Sequence, residues 1–289
     1  MRITVFTPAY NRRHTLPRLY ESLCRQEFCD FEWLIVDDGS TDGTEEIISE
    51  FENRAAFPIR YHKKENGGKH TAYNYAVDRA AGAYFFCVDS DDYLAPDALC
   101  ALAGAVQKFP DAVGVIALKA LPDGSILSSR MPDTAQVKSL FELNETYHCT
   151  GEFSIVLKTD VARQNPYPVF EGERFTGESV VYDRLGQYGR MTLLHQVITI
   201  CEYQPDGYSA NTDRLLRSNP AGYCLYFMQR IDLVEGLLKR LVMAGKYQCF
   251  GLLAGKQRTA YAGAHPVLTA ACYPVGLLFL MYYKWCRGF

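Results

Sequence analysis

Three stretches decide the fold: TPAYN at residues 7–11, VDDGSTDGT at 36–44 and VDSDD at 88–92. Each closes an apolar run that reads as a β-strand, ITVF at 3–6, WLIV at 33–36 and YFFCV at 84–88. Each also ends in polar groups suited to a nucleotide or a cation. Asp89 and Asp91 stand two residues apart. On an exposed strand end, alternate side chains point the same way, so the two carboxylates can share one ligand.

Outward from these runs, the first part of the chain alternates strand and helix as βαβ units do. Strands are predicted at Ile3–Thr7, Trp33–Val36, Ile59–His62 and Tyr84–Val88. A helix is predicted from about Thr15, with Pro17 in its first turn and Leu16, Leu19 and Leu23 on one face. A second starts near Asp42, which has capping-box spacing to Glu45. A third opens at Gly67-Gly68 and runs to about Ala80, closed by Gly82. In open α/β sheets ligands bind beyond the carboxyl ends of the strands, so the three runs should meet in one cleft.

Beyond residue 110 the pattern loosens. Val113–Leu118 and Ile126–Ser129 flank a Pro122-Asp123-Gly124 turn and read as a hairpin, and Phe153–Lys158 and Leu193–Cys201 read as strands. The Pro- and Gly-punctuated stretch Asn165–Gly177 reads as a functional loop. After Asp213 the chain turns helical, with Leu233, Leu237, Leu238 and Leu241 forming an apolar face.

The chain has 289 residues, 48% hydrophobic and 22% charged, enough for a large α/β core and not a disordered composition. A net charge of −3 supplies no basic field for nucleic acid, so an anionic ligand must be met by a metal, backbone N–H groups or single cations. The ten cysteines are scattered without a CxxC pair, which points to reduced thiols rather than a disulfide framework or a structural zinc site. The first residues already read as a strand rather than as a secretion leader.

Hard oxygens from Asp89 and Asp91 suit Mg²⁺ or Mn²⁺, which take one or two carboxylates plus substrate phosphates and water. Such an ion would neutralise charge on a departing nucleoside diphosphate. Asp38 can accept from a uracil N3–H or from ribose hydroxyls. Thr7, Pro8, Ala9 and Tyr10 end the first strand, where backbone groups and the Tyr10 ring can edge a nucleobase. Gly67 and Gly68 allow close backbone approach, and Lys69 at a helix N-terminus favours a diphosphate. Neither a Walker loop nor a GxGxxG fingerprint occurs, which counts against P-loop NTPases and dinucleotide dehydrogenases. His70 and His195 read as satisfied structural histidines rather than ligands.

TPAYN, VDDGSTDGT, NGGKHTAYNYA (66–76) and VDSDD, in this order and at βαβ spacing, make the N-terminal part resemble a family 2 glycosyltransferase of the GT-A fold. The resemblance implies a Rossmann-like mixed α/β sheet flanked by helices, with a C-terminal helical extension. It implies a catalytic domain over 1–212, divided into a nucleotide-sugar half (1–110) and an acceptor half (111–212), followed by a helical region over 213–289. It also implies an inverting enzyme using a UDP-type donor held by Thr7, Tyr10 and Asp38, within a set completed by Pro8, Ala9, Asn11, Gly68, Lys69 and Ser90. Asp89 then faces the ribose and Asp91 the metal. Glu178 is the match to the family's general base, although Ser179 stands where an Asp frequently follows, and Glu171, Glu173 and Asp183 are rivals. Asp206-Gly207-Tyr208-Ser209-Ala210-Asn211 resembles a segment of family members that build bacterial surface polysaccharides. A sugar-nucleotide pyrophosphorylase lacks support because TPAYN occupies the place of its Gly-rich start, and an inactive binding module sits poorly with the intact D-x-D.

From Pro266 to Tyr283 no residue is charged, a run of roughly 18 residues at the lower limit for crossing a bilayer. Lys284, Trp285 and Arg287 follow it like an interfacial anchor. The expectation is attachment to the cytoplasmic face of the cell membrane, where a glycan or lipid-linked acceptor would lie, with a buried kinked helix or a span as alternatives.

Overall fold

The structure, a computed structural model, describes residues 2–202 and 212–286, so the Asp206–Asn211 run lies outside the described residues. The chain divides into two compact units, Met1–Pro166 with Tyr182–Gln204, and Tyr167–Val181 with Pro205–Phe289.

The strands of the first unit are β1 (Ile3–Ala9), β2 (Phe31–Asp37), β3 (Ile59–Lys63), β4 (Tyr84–Cys87), β5 (Tyr93–Leu94), β6 (Gly114–Ala120), β7 (Gln136–Val137), β8 (Phe153–Lys158) and β9 (Met191–Ile200). They form one sheet in the order β3-β2-β1-β4-β8-β6-β9-β5, with β7 also on β9. β1 to β4 are parallel, β8 runs antiparallel between β4 and β6, and β6 and β9 are parallel. The helices are α1 (Leu16–Cys24), α2 (Thr44–Glu52), α3 (Lys69–Arg79), α4 (Ala98–Lys108), α5 (Leu140–Glu145) and α6 (Thr159–Gln164). This is the mixed α/β sheet expected of the GT-A arrangement.

β2 is buried along its whole length and β1 nearly so, the continuous apolar pattern of central parallel strands. Leu16, Leu19 and Leu23 of α1 are buried as their spacing predicts. Beside them the Tyr20 and Phe51 rings stack with centroids 4.2 Å apart. β1 extends two residues past the predicted strand because Pro8 and Ala9 pair in register with Val36 and Asp37.

Several local expectations are corrected. Gly82 does not close α3 in a left-handed turn; a Cβ there would meet the Thr4 nitrogen at 2.4 Å, so this glycine serves the close approach to β1. Asp42 accepts from Thr44, but Gly43 with φ +84° takes the N-cap position, and α2 starts later than expected. The turn at Pro122–Gly124 forms, yet its second arm makes only isolated bridges, Ala120 to Ile126 and Ser128 to Gly151.

The second unit is helical. After the short α7 (Ser179–Tyr182) come α8 (Thr212–Ser218), α9 (Pro220–Leu233), α10 (Leu237–Ala254), α11 (Pro266–Ala271) and α12 (Tyr273–Cys286). Gly245 of α10 and Gly276 of α12 let these helices touch: added Cβ atoms would meet Val275 Cγ1 at 2.6 Å and Gln248 Cβ at 2.4 Å. The predicted leucine face does not exist. An extended Val234 and Gly236 at φ +86° break the helix, leaving Leu233 on α9 and Leu237 and Leu238 exposed on α10. The uncharged C-terminal run is likewise two helices, and among the described residues no helix is long and apolar enough to cross a membrane. Pro274 falls in the first turn of α12, where its missing N–H costs nothing.

One buried carboxylate ties the first unit together. Glu32 on β2 is 1% exposed and accepts from Thr4 Oγ1 at 2.6 Å, the Ala81 N–H at 2.8 Å and Arg60 Nη1 at 3.3 Å. Burial alone would raise its pKa, but these donors and the Arg60 charge outweigh it and hold the carboxyl below its ordinary value. Its stabilisation is therefore complete above the unfolded pKa of about 4.3 and is lost as pH falls through the folded value. Glu32→Ala should lower stability by about 3 kcal/mol at neutral pH, and the loss should shrink on acidification below about pH 4.5 in urea titrations at several pH values.

Candidate active site

The carboxyl ends of β1, β2 and β4 are neighbours in the sheet, so the three sequence runs do converge. At the centre lies Asp38, just past β2. Its N–H donates to the Ala9 carbonyl at 2.8 Å. Its Oδ1 accepts from the Gly67 N–H at 3.0 Å and Lys64 Nζ at 2.6 Å, and its Oδ2 accepts from the Gly68 N–H at 2.7 Å. Gly68 has φ +93°, which a side chain rarely adopts, and this turn delivers Lys69 as the first residue of α3. The N–H groups of the Gly-Gly turn are thus engaged by Asp38, and the cation this loop supplies is Lys69.

Lys69 Nζ sits 2.7 Å from Asp89 Oδ1 and 2.9 Å from Oδ2. Burial works against a charged Asp89, but Lys69 and Lys119 prevail and depress its pKa. Asp91 is shifted the other way: burial, then the negative charge of Asp89, raises it. Asp92 is buried and pushed up to about 6, chiefly by burial, although Lys119 Nζ lies 3.3 Å from its Oδ2. The Cys201 thiol donates to the same oxygen at 3.3 Å. Ser90 between the two acids is buried.

Thr7 is fully buried and its hydroxyl accepts from the Trp33 indole N–H at 2.9 Å. Ala9 is buried, whereas Tyr10 is 49% exposed at the strand end. Asn11 adopts φ +54° and latches onto the β2 loop: its N–H donates to Ser40 Oγ and its Oδ1 accepts from the Thr41 N–H, both at 2.9 Å. Asp37 is consumed locally, accepting from the Ser40 N–H at 2.7 Å and the Tyr61 hydroxyl at 2.6 Å. His70 corrects an expectation. It is 3% exposed, but neither ring nitrogen has a hydrogen-bond partner among the described residues, and burial pushes its pKa down to about 4. His195 is exposed on β9.

Among the described residues no group of three or more His, Cys, Asp or Glu is arranged to hold an ion. The donor set present is hard carboxylate oxygen, with the raised Asp91 beside Asp89. That set fits Mg²⁺ or Mn²⁺, which take few protein ligands when phosphate oxygens complete the shell.

The acids proposed for proton transfer lie mostly in the second unit. Glu173 accepts from the Ala221 and Gly222 N–H groups at 2.6 and 2.9 Å, capping α9, and Glu171 accepts from Gln257 through its carbonyl. Glu178 is exposed at the start of α7, and Asp183 is buried in the first unit. Sequence reasoning missed Lys64 and Lys119. Lys64 directly follows β3 and was findable as a cation at a strand end; Lys119 reaches Asp92 from β6, a contact no sequence spacing announces.

Solved structures with this fold include TarS of S. aureus, residues 1–349 in complex with UDP, at TM-score 0.62 and 18% identity over 98% of this chain and 91% of that one. The mannosyltransferase PcManGT of Pyrobaculum calidifontis, in complex with GDP-Man and Mn²⁺, matches at TM-score 0.55 and 18% identity, covering 99% of this chain and 82% of that one. By sequence, the poly(ribitol-phosphate) beta-N-acetylglucosaminyltransferase TarS of Staphylococcus aureus (strain MW2) is 29% identical over 57% of this chain and 29% of its own length. The chondroitin synthase of Pasteurella multocida (strain Pm70) is 36% identical over 44% of this chain and 13% of its own length. The match thus spans less than a third of the length of either of these two curated relatives. Residues 4–162, more than half of the chain and the whole of the carboxylate cleft, match the family described as Glycosyl transferase family 2, and to that family the chain belongs.

Proposed function

We propose that the protein is an inverting, divalent-metal-dependent glycosyltransferase. In this reading it moves a sugar from a nucleoside diphosphate sugar, a UDP-sugar, to a hydroxyl of a glycan or lipid-linked glycan in bacterial surface polysaccharide assembly. The observation that carries it is the meeting of Asp38, the Lys69–Asp89 pair and Asp91 at the ends of β2 and β4. Similarity to TarS, solved with UDP and with UDP-GlcNAc, supports the choice of donor.

Tyr10 borders the nucleobase, Asp38 holds the loop that frames it, and Asp89 faces the ribose. Lys69 lies beside the diphosphate, where its charge offsets that of the phosphates. Asp91, with Asp89 beside it, would hold Mn²⁺ or Mg²⁺, which when bound supplies Lewis-acid stabilisation of the leaving diphosphate. In the transfer, the acceptor oxygen bonds to the anomeric carbon as the bond to the diphosphate breaks. The Glu178 carboxylate takes the hydroxyl proton.

The C-terminal helices fit contact with a membrane surface. α12 turns Val275, Gly276 and Tyr283 inward, beside the buried Cys272 that precedes it. Its opposite side shows Leu277, Leu278, Met281 and Trp285, the last 84% exposed. No acidic residue occurs after Pro266, and Lys284 and Arg287 supply positive charge for an anionic headgroup layer.

Three measurements test this reading. Release of nucleoside diphosphate from UDP-, GDP- and dTDP-sugars, with Mn²⁺ or EDTA, should occur from one donor, require metal and fall at least about a hundredfold in Asp91→Asn; metal-independent release would remove the assigned role of Asp91. Glu178→Gln should abolish transfer while UDP binding persists, and near-normal turnover would pass the base to another acid. The full chain should float with phosphatidylglycerol vesicles more than with neutral ones, and Leu278→Asp with Trp285→Ser should release it; equal flotation of both proteins would rule out this face.

A further inference from the structure

The carboxylate loop has a second holder in α1. Arg18 and Ser22 on α1 and Gln26 just past its end follow one another at four-residue spacing, which places them along one side of the helix. All three bond the backbone from the last residue of the D-x-D onward. Arg18 Nη2 donates to the Asp91 carbonyl at 2.8 Å. Ser22 Oγ accepts from the Leu94 N–H at 3.0 Å. Gln26 donates to the Ala95 carbonyl at 2.9 Å and accepts from the Leu99 N–H at 3.0 Å.

Arg18 does more than its two neighbours. Its guanidinium lies 4.6 Å from the centre of the Tyr93 ring, and its Nη1 pairs with the carboxylate of Glu202, two residues past β9. One planar, permanently charged fork therefore joins α1, the Asp91 peptide, β5 and the end of β9. A lysine ammonium, a single point with three flexible donors, cannot reproduce that combination of stacking and two-pronged donation. A charge-assisted bond to a carbonyl is also stronger than a neutral one and fixes the peptide plane from which the Asp91 side chain departs.

We propose that Arg18 is the positioning residue for Asp91: it sets the peptide that carries the metal-facing carboxylate and couples it to Glu202. The proposal rests on the reading of Asp91 given above. It concerns this chain's own side chains, and binding reports on it without turnover.

The test is calorimetric binding of UDP to the full chain, with Mn²⁺ and with EDTA, in wild type, Arg18→Met, Arg18→Lys, Ser22→Ala and Asp91→Asn, alongside each Tm. Mn²⁺ should tighten UDP binding to wild type, and Arg18→Met should lose about tenfold of that gain while binding in EDTA stays within about twofold. Ser22→Ala, which removes a bond to the same segment away from Asp91, should lower Tm and leave the metal gain intact. If Arg18→Met does not fold, Arg18→Lys decides: a reduced gain supports the proposal and an unchanged gain overturns it. A full gain in folded Arg18→Met, with loss in Asp91→Asn, overturns the role of Arg18 alone. No metal gain in wild type, or none lost in Asp91→Asn, overturns the reading of Asp91 and this proposal with it.

Discussion

The cleft depends on one carboxylate. Asp38 receives two backbone N–H groups and an ammonium while its own N–H holds the end of β1. A nearly buried carboxylate of this kind is tolerable because both of its oxygens have donors. Its effect is geometric: β1, β2 and the Gly-Gly turn before α3 are fixed to one another. Lys69 then emerges in reach of Asp89, and the acidic loop after β4 has a cation waiting before any ligand arrives.

The electrostatics of that loop follow from burial and, after it, from crowding. Asp89, Asp91 and Asp92 take three of four consecutive positions, where burial first and then neighbouring like charge raise the pKa of Asp91 and Asp92. The protein answers with cations from separate elements: Lys69 from α3, Lys119 from β6, and Arg18 from α1 on the backbone side. Asp89 is thereby kept ionised, while Asp91 stays raised. A net charge of −3 means that no general basic field does this work; individually placed side chains do.

The parallel half of the sheet was legible because buried parallel strands are continuous apolar runs, and because functional residues concentrate at their carboxyl ends. Asp38, Asp89 and Asp91 were picked out as candidates that way, and Lys69 by the glycine turn that opens α3. Legibility failed where tertiary packing overrode local pattern. Gly82 looked like a helix stop but makes room for the β1 backbone, and the leucines at 233–241 straddle a break at Gly236. Glu173, a rival for the base, turns out to cap α9.

By itself the sequence determined the family, the order of the βαβ units and the acidic and glycine-rich loops of the cleft. These are set by residue type at short spacing, which strand alternation and turn chemistry translate directly into position. Only the tertiary structure decided the partners, Lys64 on Asp38, Lys119 on Asp92 and Arg18 on Asp91, and left the buried His70 imidazole without a hydrogen-bond partner among the described residues. Those pairings join residues far apart in the chain. Their existence depends on sheet order and helix placement, which no local spacing encodes.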